Sequence, residues 1–70
     1  MNLSKIVDKA YQEKTLTEIA DAPVDALKGI SESDAEALKQ AFNVKTVRDL
    51  ANLKYVAWAQ AVVQLADAGV

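Results

Sequence analysis

Among the residues that could do chemistry, the acids come closest to a catalytic pattern. Glu32 and Glu36 lie four apart, so on a helix they share a face. General acid–base catalysis would need one of them desolvated in a pocket. Both fall instead in the opening turns of a helix, where carboxylates facing water favour the helix dipole. The chain has no His and no Cys. That removes the familiar base for a Ser or Thr nucleophile, any disulfide and the usual zinc sites. Gly29 and Gly69 are the only glycines, too few for a phosphate-cradling loop. No loop is acidic enough for carboxylate-only calcium ligation. The expectation is a non-enzymatic chain with no cofactor, no metal and no small-molecule substrate.

The residues better suited to recognition lie near the end of the chain. Lys54 to Ala66 places Tyr55, Trp58, Ala59, Val62, Leu65 and Ala66 on one helical face, with Val56 and Val63 beside it. The polar stripe is narrow, made of Gln60, Gln64 and Asp67. A helix apolar most of the way round is either central to a fold or buried at an interface. Tyr and Trp suit interface centres because each has an apolar body and a polar tip. Tyr55, Val56, Trp58, Val62 and Val63 are therefore the candidate protein interface.

Charge offers an alternative surface. Glu18 to Glu36 holds six acids and one base, Lys28. Lys39 to Lys54 holds four bases, Lys39, Lys45, Arg48 and Lys54, and one acid, Asp49. Bases on one face could hold a phosphate backbone or an acidic partner. An acidic half could also dock the basic half of a second copy. The net charge of −2 counts against a dedicated DNA binder.

The elements that would position these residues are helices. Seventy residues make one domain, and 51% hydrophobic with 26% charged is a folding composition. Thirteen residues are Ala, so the core rests on Leu, Ile and Val with Phe42, Tyr11, Tyr55 and Trp58. Ile6, Val7, Ala10 and Tyr11 predict a first helix over 4–14. Thr15-Leu16-Thr17-Glu18 has capping-box form and opens a short helix carrying Leu16, Ile19 and Ala20. Pro23 starts another over 23–28, with Val24 and Leu27 inward and Gly29 ending it. Ser31 caps a helix from Glu32 to Ala41, and Asn43 closes it. Thr46 opens Val47 to Ala51, and the apolar helix follows. No segment alternates with period two for long enough to be a strand. No apolar run approaches the ~20 residues of a membrane span. The first fourteen residues lack the apolar core of a signal peptide. The expected location is cytoplasmic, without an anchor.

An internal echo runs through this order. Thr15-Leu16-Thr17-Glu18-Ile19-Ala20-Asp21 matches Thr46-Val47-Arg48-Asp49-Leu50-Ala51-Asn52 in residue type at all but the third position. The stretch from Leu27 through Gly29, Ile30 and Ser31 to Leu38 resembles a helix-hairpin-helix motif. Phe42 to Leu50 resembles the continuation seen in tandem helix-hairpin-helix domains and in the C-terminal domain of the RNA polymerase α subunit. The resemblance covers roughly residues 15–65. The helix order and the echo, together with this resemblance, predict an all-α, compact bundle of five or six short helices with internal pseudo-duplication, over a single domain of residues 1–70. Residues 1–14 would form the N-terminal helix and 15–66 the helix-hairpin-helix-like region. In DNA-binding relatives, hairpin N–H groups grip a phosphate. Carried over, that role falls to Gly29, Ile30 and Ser31, aided by Lys39, Lys45, Arg48 and Lys54. Ser31 stands where the motif has a second glycine, and Glu32, Asp34 and Glu36 follow where binders place Lys or Arg.

The leading expectation is a protein-interaction or assembly module acting through the last helix, on a partner protein or by self-association. Nucleic-acid binding through the hairpin and the basic segment is the alternative.

Overall fold

The computed structural model describes residues 2–70, and they form an all-α structure. Four α-helices are present: α1 (Leu16–Ala20), α2 (Glu32–Phe42), α3 (Val47–Ala51) and α4 (Lys54–Asp67). Three single 3-10 turns accompany them, at Leu3–Lys5, Lys9–Tyr11 and Val24–Ala26. No helix among the described residues is long and apolar enough to cross a membrane.

Three of the helices begin in the same way. Thr15, Ser31 and Thr46 each accept a hydrogen bond from the backbone N–H three residues on. Glu18, Asp34 and Asp49 each accept one in return from the cap residue's own N–H, at 2.9–3.1 Å. Each box satisfies two N–H groups that a helix start leaves orphaned. The returned hydrogen bond holds all three carboxyls below their ordinary values. Asp49 gains most from the Lys45 N–H, which it also accepts, at 3.0 Å. At its other end α2 closes on Asn43, which takes the left-handed conformation at φ 57°.

The predicted first helix over 4–14 does not form. Two 3-10 turns flank an extended link at Val7, whose side chain is fully buried. The Asp8 N–H donates to the Ala26 carbonyl at 2.8 Å, and the Lys28 N–H to the Ile6 carbonyl at 2.9 Å. Those bonds make an isolated antiparallel bridge between Val7 and Leu27. Helical dihedrals at Val7 would break both, so a tertiary pairing overrides the helical spacing of Ile6, Val7, Ala10 and Tyr11. The predicted helix over 23–28 shrinks to one turn for the same reason. Leu27 is extended to reach Val7, and Gly29 (φ 93°) serves the turn in which the Ile30 N–H meets the Leu27 carbonyl.

A second bridge joins Pro23 to Thr46. Its hydrogen bonds come from the flanking residues: Val24 N–H to the Lys45 carbonyl, and Val47 N–H to the Ala22 carbonyl, both 3.0 Å. Pro23 sits in the position that donates nothing, so its missing N–H costs no bond. The segment from Ala22 to Lys28 is thus held on one side by the N-terminal turns and on the other by the approach to α3.

The core gathers along that segment. Val7, Ile19, Ala22, Val24, Ala26 and Val44 are its buried apolar residues. None is aromatic. Phe42, Tyr55 and Trp58, expected in the core, are 50%, 49% and 58% exposed, and Tyr11 is half-buried. Helix α4 packs chiefly against α3, and none of the described residues covers its far side.

Two predictions follow from this packing. Val24→Ala should cost about 2 kcal/mol in urea unfolding, from two lost carbons and the void they leave. The three box carboxyls have depressed folded pKa values. Their stabilisation is full above their unfolded values of 4.5 and 3.8 and is lost as pH falls through the lower folded ones. The urea midpoint should begin to fall as pH drops below 4.5, where Glu18 starts to lose its share, and more steeply below 3.8, and by less in the triple variant Glu18→Gln, Asp34→Asn, Asp49→Asn.

Candidate functional site

Helix α4 begins where Leu53 turns the chain away from α3, with the Val56 N–H bonded to the Leu53 carbonyl at 3.0 Å. From there it projects about 21 Å at the usual rise per residue. Val56 is half-buried at its root, and every later residue of the helix is exposed. Val62 is 66% exposed and Val63 57%. The N-terminal segment is held at Leu27 and leaves Val63 open.

An aromatic cluster stands at the base of this helix. The Phe42 and Tyr55 ring centroids are 6.0 Å apart, tilted by 54°. Tyr55 meets Trp58 edge to face, at 5.5 Å and 82°. The Lys54 ammonium lies 5.3 Å from the Tyr55 centroid and 5.5 Å from that of Trp58. Edge-to-face pairing and cation–π attraction fix these rings in place without removing them from water. Phe42 belongs to this surface although its helical spacing pointed inward. The signal that could have shown it is its position as the last residue of α2, just before the left-handed Asn43, where the chain leaves the helix.

All five candidate interface residues, Tyr55, Val56, Trp58, Val62 and Val63, therefore lie on one projecting helix, joined at its base by Phe42. Ala59, Leu65 and Ala66 extend the same exposed face. Continuous apolar surface of this kind is uncommon on a chain that acts alone.

The proposed phosphate-binding residues are distributed differently. Lys39 and Lys45 line an open cleft of about 350 Å³ together with Asp25, Glu32 and Glu36. Arg48 lies elsewhere, its Nε 2.8 Å from Asp21 Oδ1, and that carboxylate holds the guanidinium proton more firmly. Lys54 is stacked on the α4 rings. At the hairpin, Gly29 and Ser31 are exposed and Ile30 is half-buried. The Ser31 N–H, which would grip a phosphate, donates to Asp34 at 3.0 Å. The four bases and the hairpin amides do not converge on one point. No group of three or more carboxylates among the described residues is arranged to hold a metal.

Comparison with family models, curated proteins and solved structures gives no match to this chain.

Exposure of the indole is directly measurable. In dilute solution acrylamide should quench Trp58, the single tryptophan, efficiently. Occupation of the α4 face should protect it.

Proposed function

We propose that the chain is a non-enzymatic interaction module that docks protein through the apolar face of α4. The single observation carrying this reading is the projecting helix itself, with Tyr55, Trp58, Val62, Val63 and Leu65 each about half or more exposed. Its size supports the reading. A 7.5 kDa monomer is expected to expose about 4,200 Å², whereas this chain exposes 5292 Å². Its radius of gyration is 13.7 Å, against about 11 Å for a compact chain of this length. The excess of about 1,000 Å² is of the order that one partner contributes to a standard interface, about 800 Å².

The helix-hairpin-helix-like scaffold fits this role. On that reading α1 and α3 are the duplicated units, each five residues long and each opened by a Thr capping box. The hairpin then turns the chain between them, and α4 is carried outward as the working surface. Nucleic-acid binding draws less support, because the Ser31 amide is engaged by Asp34 and Arg48 by Asp21.

A photo-reactive amino acid placed at Val62 in the intact chain, in cells, tests the reading. Adducts are expected from that position, to another protein or to another copy, and not from a control at exposed Glu36. A folded chain that forms no adduct from Val62 would overturn it.

A further inference from the structure

Resting on that reading, we infer that the occupant of the α4 face is α4 of a second copy, packed antiparallel about a two-fold axis passing between Gln60 and Ala61. Three observations converge on this occupant.

The first is the residue order along the seam. Tyr55, Ala59, Val62 and Ala66 follow one another at spacings of four, three and four. That is the spacing of the inward positions of two packed helices. Large and small residues alternate along it. In an antiparallel pair centred between Gln60 and Ala61, Tyr55 falls opposite the partner's Ala66, and Val62 opposite the partner's Ala59. Each layer then sets one large side chain against one small one, which fills space evenly and lets the axes approach closely. A parallel pair would set Tyr55 on Tyr55 and Ala59 on Ala59, crowding one layer and hollowing the next. The flanks agree with the antiparallel arrangement. Val56 lies near the partner's Val63 on one side, and Trp58 near the partner's Leu65 on the other. Every large apolar residue of α4 is then used.

The second observation is charge. Lys54 opens α4 and Asp67 closes it. Each sits at the wrong pole of its own helix, since cations suit the C-terminus and anions the N-terminus. An antiparallel copy lays its C-terminal end beside Lys54 and its N-terminal end beside Asp67. Both misplaced charges then face a pole that favours them.

The third is area. The surface in excess of a compact monomer, about 1,000 Å², matches the share a protomer gives to a standard-size interface. A two-fold pair buries the same patch on both chains, so the α4 face removes part of that excess from each.

Sedimentation equilibrium on the full chain should give twice the 7.5 kDa chain mass. Val62→Asp should raise the dimer dissociation constant by about 30-fold or more, the loss expected at an interface hot spot. Val62 lies outside the buried core, so circular dichroism should show α1–α3 retained. The register is read independently. With benzoylphenylalanine at Tyr55 in a mixture of isotope-labelled and unlabelled chains, mixed-isotope adducts should map to residues around Ala66. A single-chain mass at protein concentrations of about 1 mM would overturn the inference. So would adducts joining Tyr55 to Tyr55. If the chain is single and Val62 cross-links to a different protein, the second copy is excluded while the interaction reading stands. If Val62 forms no adduct at all, both fall.

Discussion

The backbone of residues 22–28 is hydrogen-bonded along both edges, and the remaining architecture follows from that constraint. On one edge it holds Ile6 and Asp8, and on the other Lys45 and Val47. These are contacts between residues far apart in sequence, and they are made by main-chain groups, which must find partners once buried. The side chains that descend from this segment, Ala22, Val24 and Ala26, then define where Val7, Ile19 and Val44 can pack. The centre of the molecule is therefore narrow. It takes Val, Ala and Ile19, while Trp58 and Phe42 stand outside it.

A narrow centre has a consequence for the outer elements. Helices α1 and α3 sit against each other, linked at the surface by Arg48 and Asp21. That ion pair is exposed and contributes little. Helix α2 lies along the cleft beside Pro23 and Val44. Ile6 and Leu16 keep exposed apolar surface elsewhere on the body, at 45% and 65%, yet α4 packs chiefly against α3. Every buried apolar residue among those described precedes Lys54, so α4 adds no side chain to the core.

Local chemistry was well written in the residues. The Thr15 capping box, the caps at Ser31 and Thr46, the closure at Asn43 and the starts of α1, α2, α3 and α4 were legible, because they depend on contacts within four residues; that Ser31 and Thr46 also form full boxes appeared only in the structure. The N-terminal segment was not. Ile6, Val7, Ala10 and Tyr11 have helical spacing, but Val7 answers to Leu27, twenty positions away, and spacing alone carries no trace of such a pairing. Phe42 was misplaced for a related reason. A hydrophobic residue at the end of a helix can close the core or leave it, and the turn at Asn43 decides which. The candidate interface on α4 was readable as surplus apolar surface. Whether that surplus faced inward or outward depended on the capacity of a core assembled elsewhere.

The attachment of α4 also shapes how the molecule breathes. A fourteen-residue helix is near the lower limit at which a helix persists alone in water, and α4 has little beyond α3 to hold it. Its amide hydrogens are thus set to exchange with solvent through local fraying, well below the cost of opening the Val7–Leu27 and Pro23–Thr46 bridges. The order of the last fourteen helical residues becomes a property of what lies against them. The body of the fold keeps its own order, so one chain carries two cooperative units of unequal persistence.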